Sequence, residues 1–288
     1  MVGTLYIVAT PIGNLEDITQ RALRVLSEVD LVACEDTRRT RVLLNYFGIK
    51  TRAISYHEHN ERERAAEICE MLASGKNVAL VSDAGTPLIN DPGFRVVNAA
   101  IEIDATVIPI PGAAAFVSAL VASGLPSDQF FFAGFLPARA HARRAKLAEL
   151  LAVPATLVFY EAPHRIDAAL KDALEVLGNR RAAIARELTK LHEEIVRGSL
   201  SDLAQRFDSA STARGEMVLV ISGATAEPSV SQTDATISSS RTLVERMNQL
   251  EAEGVDGKAA LKKAARELGM KRAEAYRLLV AQKNRSGT

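Results

Sequence analysis

The sequence contains no tryptophan, only two cysteines among 288 residues, and 5% aromatic residues. Cys34 and Cys69 stand in apolar patterns, which suit reduced core thiols better than a disulfide framework. The longest apolar runs, such as Ala113 to Ala122, are far shorter than the ~20 residues that cross a bilayer, so we expect no membrane span. The chain does not open on a basic segment followed by an apolar one, which favours a cytoplasmic protein.

The chain also lacks net charge, because 35 Lys and Arg balance 35 Asp and Glu. The two signs are nevertheless unevenly distributed. Residues 241–288 carry eleven basic and six acidic side chains, so residues 1–240 carry twenty-four and twenty-nine. A basic tail on an acidic body points to a polyanionic partner, although charge alone favours the alternative of a solvated helix surface.

Short apolar runs alternate with amphipathic stretches in the first part of the chain, a rhythm typical of a parallel α/β sheet. The predicted strands there are Leu5–Ala9, Leu31–Cys34, Arg52–Tyr56, Val78–Ser82 and Thr106–Ile110. Asp17 with Gln20 is predicted to cap the first helix. Later strands follow one another without an intervening helix, which indicates a mixed sheet. They are predicted at Phe130–Gly134, Thr156–Tyr160, Arg181–Glu187, Glu194–Gly198 and Glu216–Ser222.

These patterns divide the chain into four parts. A first α/β domain is predicted over residues 1–117 and a second over 118–224. The stretch 225–240 is rich in Ser and Thr without apolar periodicity, which is typical of a linker. Residues 241–288 form a basic helical module with the pattern of a helix-turn-helix, although a helical hairpin that docks on the body is the alternative.

The carboxyl ends of parallel strands share one edge of a sheet, where ligands bind. The loops expected at that edge are polar or rich in Gly and Pro: TPIGN (10–14), EDTRRT (35–40), HEHNE (57–61), SDAGTPLINDPG (82–93) and PIPGAA (109–114). Glycine lets the backbone approach a ligand and proline stiffens a turn, so such loops suit a flat nucleoside. A G-x-G-x-x-G pattern is missing, which disfavours a dinucleotide site.

Two other kinds of site are weakly indicated. His57 and His59 resemble a metal pair, but alternate residues at a strand end point to opposite sides and no matching ligands follow, so we expect no metal. Ser82 and Asp83 occur without a G-x-S-x-G motif, which disfavours a hydrolase triad. A binding site for a nucleoside-like ligand is therefore the stronger interpretation.

Six motifs in one order resemble a known family: TPIGNLEDIT, AxEDTR (33–38), SDAGTPLINDPG, GFLP (134–137), FYEAPHR (159–165) and ARELTK (185–190). The chain resembles the tetrapyrrole methylase superfamily over residues 3–223, and within it the branch that methylates small-subunit ribosomal RNA. The resemblance implies two α/β domains, a homodimer and S-adenosylmethionine bound in the cleft between the domains. It also implies 2′-O-methylation of a cytidine ribose in 16S ribosomal RNA of the 30S subunit.

The same resemblance assigns residues to roles. Those expected to bind the cofactor are Pro11, Ile12, Gly13, Asp83, Gly85, Thr86, Ala113, Ala114, Tyr160 and Met217. Candidates that accept the hydroxyl proton or orient the reactants are Glu187, Lys190, Glu35 and Asp36, although ion pairs with neighbouring arginines are an equally good interpretation of each. Two rival functions remain open, namely methylation of a small tetrapyrrole and non-catalytic binding of a nucleotide or RNA.

Clustered cations provide the sequence evidence for RNA. A dense group follows GFLP, and a second group lies on the predicted helices of the C-terminal module. Such side chains bind phosphates without reading sequence. The residues expected to contact RNA are Arg38, Arg139, Arg143, Arg144, Lys262, Lys263, Lys271 and Arg272.

Overall fold

A computed structural model describes residues 1–208, 215–224, 246–247, 249–251 and 256–267. Its contacts divide the chain into two compact units, Met1–Ala224 and Thr225–Thr288. The predicted linker, Lys271, Arg272 and most of the predicted helix-turn-helix lie outside the described residues.

The first half of the larger unit contains a parallel five-stranded sheet. Its strands are β1 (Thr4–Val8), β2 (Leu31–Cys34), β3 (Ala53–Ser55), β4 (Val78–Val81) and β5 (Thr106–Ile110), in the order β3-β2-β4-β1-β5. All pairs are parallel. Every residue of β2 and β4 is buried, as expected for a parallel sheet covered on both faces. The predicted strands are confirmed to within one residue at each end.

Four helices accompany this sheet: α1 (Gln20–Glu28), α2 (Thr37–Tyr46), α3 (Glu61–Ala73) and α4 (Phe94–Glu102). The predicted cap of α1 by Asp17 is wrong. Asp17 ends a short 3-10 helix, and the Thr19 hydroxyl caps α1 by accepting the Ala22 N–H at 3.1 Å. Asn14 caps the 3-10 helix at Leu15–Asp17, and α1 begins after it, at Gln20.

The second sheet is mixed, as predicted. Its strands are β6 (Phe130–Phe135), β7 (Thr156–Glu161), β8 (Arg181–Arg186), β9 (Glu194–Ser199) and β10 (Met217–Ile221), in the order β6-β7-β10-β8-β9. Only the β6–β7 pair is parallel. The accompanying helices are α5 (Ala115–Ser123), α6 (Ala140–Glu149), α7 (Ile166–Leu177) and α8 (Leu200–Arg206).

Helix α5 belongs by packing to the second sheet, although it follows the last strand of the first. Ala119 and Leu120 are buried in one cluster with Val158 and Val218. The predicted domain boundary after residue 117 falls within this helix. The loop between β5 and α5 is consequently shared by both halves of the larger unit.

The smaller unit is described over few residues. Helix α9 (Gly257–Glu267) buries Ala260 and Ala264 and exposes Lys262 and Lys263. Across the described ranges of the whole chain, no helix is both long and apolar enough to cross a membrane.

Candidate active site

A cavity of about 290 Å³ lies where the carboxyl ends of the first sheet meet loops of the second. This volume is at the lower end of the range for small-molecule sites, roughly 300–1,000 Å³. Ten of the residues singled out in the sequence line it: Ile12, Glu35, Asp83, Gly85, Thr86, Ala114, Tyr160, Glu187, Lys190 and Met217. Pro11, Gly13, Asp36 and Ala113 do not line it.

Three loops of the first sheet are joined by hydrogen bonds at the cavity. The Thr10 N–H donates to the Gly85 carbonyl at 2.8 Å, and the Gly85 N–H donates to the Thr10 carbonyl at 3.0 Å. The Thr86 hydroxyl donates to the Ala113 carbonyl at 3.2 Å. Gly85 has a φ of 85°, which favours glycine. The first, fourth and fifth loops therefore form one cross-linked floor.

Gly13 contacts the second half of the unit rather than the cavity. A Cβ at Gly13 would lie 2.6 Å from Lys190 Cγ and 2.9 Å from Thr189 Oγ1. These distances are far below ordinary contact, so only glycine lets the TPIGN loop approach the ARELTK loop this closely. The absence of a side chain at Gly13 therefore leaves room for Lys190 and Thr189 of the second half.

The loop between β8 and β9 presents Glu187 and Lys190 to the cavity. Lys190 Nζ donates to Glu187 Oε1 at 3.0 Å. Glu187 and Thr189 have φ values of 51° and 67°, a left-handed conformation that costs roughly 1–3 kcal/mol per non-glycine residue. The Thr189 N–H donates to Glu193 at 2.5 Å, which helps to hold the turn. The candidate pair is therefore placed by a strained loop.

Asp83 and Asp36 have different neighbours. Asp83 accepts the Asp36 N–H at 2.9 Å and pairs with Arg39 at 3.4 Å, so it connects the second and fourth loops. The Asp36 side chain caps α2 and pairs with Arg38 at 2.7 Å. Hydrogen bonds from Arg38 lower the pKa of Asp36 to about 2. Asp36 lines a second cavity, shallow and open to solvent, of about 470 Å³, which shares Glu35, Arg39 and Asp83 with the first.

The first cavity is lined by more anions than cations. Six carboxylates line it, against two cations: Glu35, Asp83, Asp91, Glu161, Glu187 and Glu216, with Arg39 and Lys190. Burial, with the nearby Asp83 carboxylate, raises the pKa of Glu35. Glu161 is buried beside Arg165 at 3.1 Å, and burial raises its pKa. Such a lining favours a ligand with positive charge.

Sequence reasoning missed Asp91, Glu161 and Glu216. Asp91 and Glu161 lie inside two of the quoted motifs, so a systematic inspection of motif carboxylates could have found them. Glu216 has no such signal, because it reaches the cavity only through the pairing of β10 with β7 and β8.

The remaining wall of the cavity is apolar. The Tyr160 ring lies 5.0 Å from Phe132 and 5.5 Å from Phe135, centroid to centroid. Burial raises the pKa of the Tyr160 hydroxyl. Met217 is buried beside them. Acidic and apolar walls therefore line one site.

Arg143 does not belong to an exposed cationic patch, which corrects the sequence expectation. Its side chain is 5% exposed and pairs with the equally buried Asp172 of α7 at 2.6 Å. It also donates to the Ala138 carbonyl at 3.1 Å. Arg144 is half exposed and pairs with Asp172 and Glu175. Arg143 thus joins α6 to α7, because the helix turns it inward against a buried carboxylate.

The other predicted cations of the larger unit are exposed. The Arg38 side chain is 88% exposed beside the second cavity, and Arg139 is exposed at the start of α6. The His57 and His59 rings lie 5.9 Å apart rather than on opposite sides, because they belong to a turn beyond β3. Within the described ranges, no three His, Cys, Asp or Glu side chains are arranged so that they could hold a metal ion.

The fold and the loops define the class of protein. The chain belongs to the family described as Tetrapyrrole (Corrin/Porphyrin) Methylases, whose sequence model matches residues 4–204. It is 48% identical over 284 residues to Ribosomal RNA small subunit methyltransferase I of Mesorhizobium japonicum, covering 98% of this chain and 93% of that protein. It is 46% identical to the protein of the same name from Halalkalibacterium halodurans, covering 96% and 94%.

Solved structures share the fold. Uroporphyrin-III C-methyl transferase from Thermus thermophilus, complexed with S-adenyl homocysteine, is 20% identical with a TM-score of 0.52 and covers 76% of this chain and 97% of that one. A conserved hypothetical protein from Aeropyrum pernix K1 is 18% identical with a TM-score of 0.60 and covers 77% and 85%.

Proposed function

We propose that the protein transfers a methyl group from S-adenosylmethionine to the ribose 2′-oxygen of a cytidine in 16S ribosomal RNA. The observation that carries this proposal is 46–48% identity over nearly the whole chain to relatives named Ribosomal RNA small subunit methyltransferase I. The two cavities add physical support. The acidic and apolar lining of the first suits a cationic nucleoside, and the second carries exposed arginines.

The residues of the first cavity fit the cofactor. S-adenosylmethionine supplies a methyl group on a positively charged sulfur, and the six lining carboxylates favour such a charge. Gly85 forms a close cradle, since a Cβ there would lie 3.3 Å from Ile12. In this proposal Ile12, Asp83, Gly85, Thr86 and Ala114 hold the cofactor on the floor, with Pro11, Gly13 and Ala113 supporting them, while Tyr160 and Met217 form its apolar wall.

Lys190 and Glu187 are proposed to orient the reactants. Their ion pair fixes the ammonium at the cavity wall, where it can attract the polyanionic substrate. Glu35 lines the same cavity near Asp83 and is proposed to bind a hydroxyl there. Asp36 acts indirectly in this proposal, because its N–H holds Asp83 and its side chain holds Arg38.

RNA binding is assigned to exposed cations. Arg38 and Arg39 line the second cavity, next to the first, and are proposed to contact phosphates on either side of the modified nucleotide. Arg139 and the half-exposed Arg144 extend the basic surface of the larger unit. Lys262, Lys263, Lys271 and Arg272 are proposed to add non-specific affinity from the C-terminal module.

A cytoplasmic homodimer completes the proposal. Val117 and Val121 of α5 are exposed, as are Phe130 and Phe131 of β6. The Phe116 and Phe130 rings lie 6.2 Å apart, so these residues belong to neighbouring surface. Exposed apolar surface of this kind often marks a protein interface. In analytical ultracentrifugation, the purified protein should therefore have the mass of two chains.

Mass mapping of ribosomal RNA tests the proposed function. RNA from cells that lack the protein should lose one ribose methyl group on a 16S cytidine, and purified protein with S-adenosylmethionine should restore it on 30S subunits. Glu187→Gln should slow the restoration, whereas Glu28→Gln, which breaks an exposed pair with Arg24 at 3.1 Å, should not. Persistence of every ribose methyl group would refute the proposal, and methylation of a uroporphyrinogen instead would support the tetrapyrrole alternative.

A further inference from the structure

Asp91 lies in the wall of the first cavity, in the loop between β4 and α4. Leu88 and Asn90 in this loop have φ values of 71° and 64°. Left-handed residues of this kind cost energy and persist where the surrounding structure imposes them, often at functional sites. The loop is therefore held in one particular conformation.

The second half of the unit helps to impose that conformation. Gly134 of β6 has a φ of 65°, and a Cβ there would lie 2.7 Å from Asn90 Oδ1 and 2.8 Å from Asn90 Nδ2. The Asn90 side chain therefore packs against Gly134 of the other sheet. Its neighbour Asp91 is therefore held in the wall of the cavity by a loop that contacts both halves of the unit.

Three of the other five carboxylates of the cavity have partners that occupy their oxygens. Asp83 binds the Asp36 N–H and Arg39, Glu187 binds Lys190, and Glu161 binds the Ala162 N–H and Arg165. Among the described residues, Asp91, Glu35 and Glu216 have no ion-pair partner, and of these three Asp91 lies in the loop that contacts the second half of the unit. A carboxylate without a cation keeps an oxygen available for an incoming hydroxyl.

Burial and nearby negative charges favour the protonated form of Asp91. Burial is the main reason that the pKa of Asp91 is raised, to about 6, and the nearby Glu35 is the next. The hydrogen bond from Ser82 opposes this shift, while Asp83 and Glu216 add to it. The other titratable or charged groups that line the same cavity are Arg39, Tyr160, Glu161, Glu187 and Lys190.

We propose that Asp91 accepts the proton of the acceptor hydroxyl during methyl transfer, an inference that rests on the proposed function. The ribose oxygen forms its bond to the methyl carbon as the bond from that carbon to sulfur breaks, and the electron pair of that bond stays on sulfur. The hydroxyl proton passes to a carboxylate oxygen of Asp91 and from there to solvent. A positioned proton acceptor of this kind contributes ~10²- to 10⁴-fold.

The pH dependence of methyl transfer to 30S subunits tests this role. The wild-type rate should fall below about pH 6, because Asp91 must be ionised to accept a proton. Asp91→Asn should lower the rate of methyl transfer by ~10²- to 10⁴-fold, and the remaining rate should not fall below pH 6. Asp104→Asn is the matched control, since Asp104 is exposed and its φ of 57° suits asparagine. It should keep the wild-type rate and profile.

Two neighbours give a test that a purely structural role of Asp91 would not pass. Glu35→Gln removes a negative charge and should move the fall in rate to lower pH, whereas Ser82→Ala removes the opposing hydrogen bond and should move it to higher pH. If Glu35 were the acceptor, Glu35→Gln would abolish transfer and Asp91→Asn would leave a pH-dependent rate. That result would overturn the proposal.

A readout independent of activity separates this inference from the proposed function. In protein labelled with carbon-13 at aspartate carboxyls, one signal should titrate near pH 6 and be missing in Asp91→Asn. The same signal should move in opposite directions in Glu35→Gln and Ser82→Ala. Titration of Asp91 below pH 5, or an Asp91→Asn rate within threefold of wild type, would overturn the inference. A wild-type protein that methylates no RNA while this signal titrates near pH 6 would instead refute the proposed function.

Discussion

Gly13→Ala tests whether the contact between the two halves of the larger unit controls the site. The new methyl group would lie 2.6 Å from Lys190 Cγ and 2.9 Å from Thr189 Oγ1, whereas ordinary contact is at least about 3.4 Å. Both side chains must therefore move by several tenths of an ångström. Lys190 would then shift against Glu187, its partner at 3.0 Å. Overpacking of this kind costs about 1–3 kcal/mol in unfolding free energy.

The effect on catalysis should be of similar size in free energy to the effect on folding, because a tenfold change in rate corresponds to about 1.4 kcal/mol. A misplacement of about 1 Å at a reacting group can cost ~10²-fold, so we expect Gly13→Ala to slow methyl transfer by 10- to 100-fold. Urea unfolding and single-turnover methyl transfer measure the two effects. Gly48→Ala is the control, because Gly48 has a φ of 69° and open space around it. It should cost about 1–2 kcal/mol of stability through backbone strain alone and leave the rate unchanged.

A double variant shows whether Lys190 is the side chain that moves. In a Lys190→Ala background the 2.6 Å contact is removed, so Gly13→Ala should cost less stability there than in the wild type. Equal costs in both backgrounds, or a wild-type rate in Gly13→Ala, would refute the assignment of Gly13 to positioning the ARELTK loop.

Three further outcomes follow from the contacts. Arg143→Met should lower the free energy of unfolding in urea by about 1.5–3 kcal/mol, because the buried Asp172 loses one of its two arginine partners and keeps only the half-exposed Arg144, and a loss below 1 kcal/mol would contradict this role. Thr86→Val should weaken S-adenosylhomocysteine binding in calorimetry by about fivefold to tenfold, since it removes a hydrogen bond that joins two floor loops. Lys262→Ala with Lys263→Ala should lower the salt dependence of 30S binding by about two charges while ligand affinity stays unchanged, and an unaltered slope would exclude these lysines from phosphate contact.

Much of the fold could be predicted from the sequence, because strand and helix patterns are local. Both sheets lie where apolar runs predicted them, and the first sheet is parallel because its strands alternate with helices. The capping of α1 was predicted wrongly, since Thr19 and Asp17 are both good caps and only the short turn at Leu15–Asp17 decides between them. Local pattern thus determined the elements better than their boundaries.

The site was predicted only as far as motifs could carry it. The loops at the edge of the first sheet do converge on one cavity. Arg143 could not be recognised as buried, because its partner Asp172 lies 29 residues further on another helix. The close approach of Gly13 to Lys190 depends on contact between two sheets, which no spacing in the sequence encodes.

The two halves of the larger unit meet through glycines at two places, and this suggests why the site needs both sheets. The Lys190 side chain of the second half packs against Gly13 of the first, and the Asn90 side chain of the first half packs against Gly134 of the second. Each contact fixes the residue next to a functional candidate: Lys190 is itself held beside Glu187, and Asn90 precedes Asp91. A relative shift of the sheets would therefore displace Lys190 and Asp91, which line the same cavity, from each other. In the mechanism proposed for Asp91, packing between the halves sets the distance between the acceptor hydroxyl and the carboxylate, so substitutions at either glycine should lower the rate of methyl transfer more than they lower cofactor affinity.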